Sequence, residues 1–173
     1  MSSANDTGAI FEALVRDHGP MVARIASTYE ARAALQDELA QDVFTAVWRA
    51  LPTLRDAAAS RAWVARIAHN TCVSHVRREV QRGEDPEDPE VLDGTVAGES
   101  ETGAAAVTRE RLLRAVRGLP LGLRQVVAMH LEGFSNREIG DALGLSEGNV
   151  AVRMTRARAA LKETMNARSG DPA

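Results

Sequence analysis

The sequence predicts an all-α protein: two small helical domains joined by a flexible acidic linker, the C-terminal one containing a helix-turn-helix. Three observations point there. Apolar residues recur at three- and four-residue spacing on both sides of the chain's middle, and no segment shows the period-two alternation of a strand. The middle is different: Glu84, Asp85, Glu87, Asp88, Glu90, Asp93, Glu99 and Glu101 fall within residues 84–101, with prolines and glycines between them and no base. Such a stretch has too little to bury to offset the entropy of ordering it. Lastly, residues 135–161, SNREIGDALGLSEGNVAVRMTRARAAL, read as two short helices around a tight turn. The expected boundaries are 1–83 for the first domain, 84–106 for the linker, 107–165 for the second domain and 166–173 for a fraying tail.

The first helical pattern spans residues 10–30, with Ile10, Phe11, Leu14, Val15, Val22, Ile25, Ala26 and Tyr29 on one side. Gly19-Pro20 predicts a break or kink, because proline has no N–H to give and suits the start of a new turn. Residues 35–51 repeat the pattern through Leu35, Leu39, Val43 and Val47, with Phe44, Trp48 and Leu51 alongside and Asp37, Glu38, Gln41 and Asp42 opposite. Pro52 to Ser60 reads as a loop. Arg61 to Arg82 reads as a helix with Trp63, Val64, Ile67, Ala68 and Thr71 inward. Past the linker, Val107 to Val116 is helical, Leu119-Pro120 interrupts, and Leu123 to Leu131 leads into the motif.

Within the motif, Ser135 followed three residues later by Glu138 is a capping box, so a helix starts there. Ile139 and Leu143 face inward, Gly144 suits the left-handed residue that ends a helix, and Ser146 caps the next one. Val150, Met154, Ala157 and Leu161 form the inner stripe of that second helix. At about 100° per residue, Gly148, Val152 and Thr155 then point outward with Asn149 and Arg156 beside them, and Arg153 and Arg158 flank the stripe. An outward face of small residues, Asn and Arg can approach base edges, and flanking arginines can reach phosphates. This pattern favours DNA binding over a merely solvated surface helix.

Composition sets bounds. Of 173 residues 45% are hydrophobic but only 3% aromatic, so the core is aliphatic. A single cysteine, Cys72, leaves no internal disulfide and suits a reducing cytoplasm. No signal peptide and no apolar run long enough to enter a membrane is visible. The net charge of −3 hides an asymmetry: without the eight acids of 84–101 it is +5, and residues 102–173 hold eleven Arg and Lys against seven acids. The C-terminal part is therefore mildly basic, as a nucleic-acid binder requires.

The run LPLGLRQVVAMHLEGFSNREIGDALGLSEGNVAVRMTRARAALK, residues 119–162, resembles region four of bacterial RNA polymerase sigma factors, most of all the extracytoplasmic-function (ECF) group of the sigma-70 family. LuxR-type regulators share its first part; the ending from Arg156 to Leu161 is typical of the sigma group. In the first domain, AQDVFTAVWRAL (40–51) is similar to the region-two helix that docks on the polymerase clamp. SRAWVARIAHNTCVSHVRRE (60–79) resembles the promoter-melting segment through Trp63, Arg66, Ile67, Ala68, Asn70, Arg77 and Arg78.

That resemblance implies a promoter-specificity subunit whose partners are core RNA polymerase (β′ clamp and β flap), promoter DNA and an anti-sigma factor, with no membrane insertion. It implies a base contact in the minus-35 element for Arg156, with Val152 and Thr155 beside it and Ser146, Asn149, Arg153 and Arg158 around them. The family often has a basic residue where this chain has Ala151. For the minus-10 element it implies Asn70 on a flipped base, backbone contacts by Arg66, Arg77 and Arg78, and Trp63 nearby, which as readily belongs to the core. For polymerase docking it implies Asp37, Glu38, Gln41, Asp42, Phe44 and Trp48. The acidic linker reads as a solvated tether or, by the same resemblance, as a mimic of RNA on the transcript's path.

His69, Cys72 and His75 share a broad helical face, but i, i+3 and i+6 rarely converge on one tetrahedral ion, and no fourth ligand stands out. No phosphate-cradling glycine loop or nucleophile–base order appears, so neither cofactor, metal nor catalytic residue is expected. Two rivals stay open. A LuxR-type regulator needs a βα receiver domain, which the N-terminal half does not offer. A mimic that sequesters an anti-sigma factor has no use for Asn70, Arg153 and Arg156.

Overall fold

The computed structural model describes residues 2–82 and 103–167, with side chains from residue 6 onward, and these divide into two compact units on either side of residue 87. Helices make up both, and no strand occurs among the described residues. The acidic run 84–101 and residues 168–173 lie outside them.

The first unit packs α1 (Ser2–Ser27), α2 (Ala33–Ala50) and α3 (Ser60–Arg82), each helix against both others. Its core is aliphatic, as the composition requires: Leu14, Met21, Val22 and Ile25 from α1, Leu39, Val43 and Val47 from α2, Val64 and Val73 from α3. Ala26, Ala65 and Ala68 are fully buried, and residues this small let the three helices approach closely.

Two expectations are corrected here. α1 runs unbroken through Gly19-Pro20. Pro20 cannot donate to the Arg16 carbonyl, a loss of about 3 kcal/mol in a helix interior. But Leu14 before it and Met21, Val22 and Ile25 after it are all buried on one side, and each such side chain contributes about 1.5–3 kcal/mol. Packing therefore carries the helix through Pro20 without a break. The second correction concerns α3. Val64, Ala65, Ala68, His69, Cys72 and Val73 are its buried residues, whereas Trp63, Ile67 and Thr71 are only half-buried. Wedged between α1 and α2, the helix buries a face turned by about one residue, and that turn takes in a histidine.

Between α2 and α3, the stretch read as a loop contains two short 3-10 turns, Leu51–Thr53 and Ala57–Ala59. Asp56 caps the second, its carboxylate accepting from the Ala58 N–H at 2.9 Å.

The second unit comprises α4 (Gly103–Arg117), α5 (Leu121–Leu131), α6 (Asn136–Leu143) and α7 (Glu147–Ala167). α4 starts within the span read as linker, because Ala104, Ala105 and Ala106 are the strongest helix formers. α7 likewise continues two residues past the expected domain end. Pro120 opens α5, and the Arg124 guanidinium closes the α4–α5 turn by donating to the Leu119 carbonyl at 3.1 Å and to that of Arg117. α7 packs on all three other helices, through a core of Val116, Val126, Met129, Phe134, Ile139, Val150, Met154 and Ala157. No helix among the described residues is long and apolar enough to cross a membrane.

Candidate nucleic-acid interface

The turn between α6 and α7 is built from local chemistry. Ser135 and Glu138 complete the capping box: the Glu138 N–H donates to Ser135 Oγ at 3.3 Å and the Ser135 N–H to the Glu138 carboxylate at 2.8 Å. Gly144 takes the left-handed conformation, φ 69°, and the Leu145 N–H returns to the Gly140 carbonyl at 2.9 Å. Gly140 is the residue sequence reasoning passed over. A Cβ there would stand 2.6 Å from the Leu145 carbonyl oxygen, so only glycine lets the second helix fold this close to the first. Its signal, a glycine inside a short helix, was visible. Ser146 then caps α7, its Oγ accepting from the Asn149 N–H at 3.2 Å.

That cap sets the rotation of α7. Val150 and Ala157 are fully buried, Met154 nearly so, and Leu161 half-buried. Gly148, Asn149, Val152, Thr155, Arg156 and Arg158 are all exposed; Val152, an apolar side chain, is 51% accessible. Arg153 alone departs from the others. It is half-buried, its Nε donates to Asn149 Oδ1 at 3.0 Å, and its Nη1 donates to the Gly122 carbonyl at 3.4 Å.

On α3 the structure leaves Arg66, Asn70, Arg77 and Arg78 exposed and Trp63 half-buried. A shallow groove between α2 and α3 is lined by Ala46, Ala50, Ile67, Asn70, Ser74 and Arg78. On α2, Asp37, Glu38, Gln41 and Asp42 are exposed and Phe44 is half-buried. Trp48 is 47% accessible and meets Phe11 of α1 edge to face at 5.0 Å; Phe11 also meets Phe44 at 6.4 Å. Phe11 is a second residue that the sequence showed only as core.

Behind α3 lies a polar network that no motif announced. The Tyr29 hydroxyl and His69 Nδ1 are 2.8 Å apart, both buried. Next to Tyr29, the Glu30 carboxylate meets His75 Nε2 at 3.1 Å and Arg32 Nε at 3.0 Å, while Arg32 reaches Glu79 at 3.5 Å. Two consecutive residues of the α1–α2 turn thus hold α3 at two points. Burial lowers His69 to about 4, so the ring is neutral at neutral pH. For Glu30, burial would raise the carboxyl, but hydrogen bonds from Arg32 and His75 prevail and hold it at about 2. Burial pushes the Cys72 thiol up to about 12, so it is no nucleophile. His69 and His75 are each engaged with another residue, and no group of three potential ligands is gathered among the described residues.

Comparison with known proteins gives this arrangement a context. Residues 14–82 match the family described as Sigma-70 region 2, and residues 109–161 match Sigma-70, region 4. The chain is 30% identical to the RNA polymerase sigma factor NccH of Alcaligenes xylosoxydans xylosoxydans, over 87% of this chain and 84% of that protein. It is 33% identical to the ECF RNA polymerase sigma factor SigM of Mycobacterium tuberculosis, over 87% and 74%. Among solved structures, that of CnrH in complex with the cytosolic domain of CnrY superposes with a TM-score of 0.65 at 28% identity, covering 91% of this chain and 88% of that one.

Proposed function

Since the chain belongs to the sigma-70 family of RNA polymerase sigma factors, in the extracytoplasmic-function group, we propose that its two units divide promoter recognition between α3 and α7. Promoter-specific initiation by RNA polymerase is its function, and core polymerase and promoter DNA are its partners. In the division proposed, α7 enters the major groove of the minus-35 element. Arg156 takes a base edge with Val152 and Thr155 packed beside it, and Arg158 and the amides after Ser146 meet phosphate. Asn70, in the groove between α2 and α3, receives a base flipped from the minus-10 element, and Arg66, Arg77 and Arg78 hold the backbone. The acidic and aromatic face of α2 from Asp37 to Trp48, extended by Phe11, docks on the polymerase. The first domain keeps the limits 1–83, and the second takes in the whole of α4 to α7, from Gly103 to Ala167. Catalysis belongs to the polymerase, the protein works in the cytoplasm, and an anti-sigma factor holds it in reserve.

The observation that best supports this reading is the two-sidedness of α7: every residue assigned to bases is exposed, and none belongs to the buried stripe. Run-off transcription from a pool of genomic fragments, with core polymerase and with or without this protein, tests it. New start sites sharing two spaced motifs are expected. Asn70→Ala should then leave promoter binding intact while permanganate reactivity of the minus-10 element falls; intact melting would remove Asn70 from the role.

A further inference from the structure

The line of α7 farthest from its core carries no side chain with a proton to give a base. At about 100° per residue, Gly148, Val152, Thr155 and Ala159 lie within about 40° of the direction opposite the buried Val150. All four are exposed. Glycine, valine and alanine have no polar side-chain atom, and the one hydroxyl proton of Thr155 is donated to the Ala151 carbonyl at 3.1 Å. What Thr155 keeps is an acceptor oxygen and a methyl group. Asn149 and Arg156, the polar residues of the same face, stand to one side of this line. Val152 is the one large apolar side chain on it, 51% accessible. A helical side chain leans over the turn before its own Cα, which carries the Val152 isopropyl group toward Gly148. Gly148 has no side chain to cover it, and a Cβ there would meet nothing within 4 Å.

We propose that Val152, with the methyl of Thr155 beside it, receives the 5-methyl group of a thymine, so that α7 selects one A·T pair of the minus-35 element by apolar contact. Thymine is the only one of the four bases to show a methyl group in the major groove. Set against it, the isopropyl group removes apolar surface from water on both sides. Set against the amino group of cytosine or adenine, or the N7 and O6 of guanine, the same group displaces water and returns no hydrogen bond. The contact is therefore favourable at thymine and unfavourable elsewhere, while Asn149 and Arg156 are left to polar edges at its flank. The proposal rests on the reading of α7 as the minus-35 reader and names the chemistry of one of its contacts.

The test uses holoenzyme assembled from core polymerase and the full-length protein, bound to a promoter found by run-off transcription. Each thymine of the minus-35 element, on either strand, is replaced in turn by deoxyuridine, which lacks only the 5-methyl group and keeps the base pair. One position should respond, with binding weakened about three- to five-fold, the effect of one buried methyl. Val152→Ala should weaken binding to the natural promoter by a similar factor and erase the response at that position alone. Val152 lies outside the core, so this variant should keep the wild-type melting temperature. Thr155→Ser, which retains the hydroxyl and removes the methyl, should reduce the same response. The proposal is wrong if every thymine tolerates deoxyuridine while base-pair changes in the element still weaken binding, or if Val152→Ala keeps the full response. An element made of G·C pairs alone would also overturn it. Binding indifferent to every change in the minus-35 element would instead overturn the reading of α7 itself.

Discussion

At the scale of single residues, the separation between reading and packing is sharp enough to predict. Arg156 is exposed and touches none of the core, so Arg156→Ala should leave the melting temperature unchanged. It should cost on the order of 1–3 kcal/mol in binding to the preferred minus-35 sequence and relax preference there; uniform loss across sequences would mark a phosphate contact instead. Gly140 is the opposite case. Its missing Cβ clears the Leu145 carbonyl, which is backbone and cannot swing aside. Gly140→Ala should destabilise the protein by about 1–3 kcal/mol in chemical denaturation and weaken DNA binding with it. Unchanged stability would show that the turn opens freely. Sequence placed Arg156 on the exposed face because exposure follows from periodicity, while its role at a base is what the family resemblance implies. The place of Arg153 was not legible, since a wheel shows that a residue flanks the stripe but not that Gly122 lies across from it.

At the scale of elements, α3 is fixed by polar chemistry as well as packing. His69 is neutral in the fold with its value near 4, against 6.5 for a free histidine. Below pH 6.5 the unfolded chain binds a proton the native chain does not, so stability should fall as pH drops from 6.5 to about 4 and then level off for this group. The loss is on the order of 3 kcal/mol. Glu30 acts lower: held at about 2 against an ordinary 4.5, it contributes stability above pH 4.5 that is lost as pH falls through that window. Denaturant titrations of the wild type and of His69→Gln between pH 7 and 4 would check this; equal slopes would exclude His69 as the cause. Sequence reading located α3 within a residue of its ends, because amphipathic spacing and Pro52 bound it. Its rotation was missed because burying a histidine is unfavourable until Tyr29, forty residues earlier, supplies the partner. The same limit let Pro20 look like a break: local propensity is visible in a sequence, whereas the burial that overrides it is not.

At the scale of the whole molecule, the two units have separate cores, one built from α1 to α3 and the other from α4 to α7. Calorimetry should therefore resolve two transitions, and Val47→Ala should lower one while leaving the other in place. A single transition that moves as one would show the units to be thermodynamically coupled. The order of elements and the two-unit plan were readable because an acidic run with few apolar residues has too little to bury and so divides a chain.

The faces of α7 carry one more implication. Val150, Met154 and Ala157 are buried and answer to the stability of the unit, while Gly148, Val152, Thr155 and Arg156 are exposed and stand outside that core. Selection can then act on the second set without disturbing the first. A duplicated copy of this gene could drift toward a new promoter through a few exposed codons while still folding and still binding polymerase. An engineer wanting a regulator that ignores the host's own promoters would begin with the same codons.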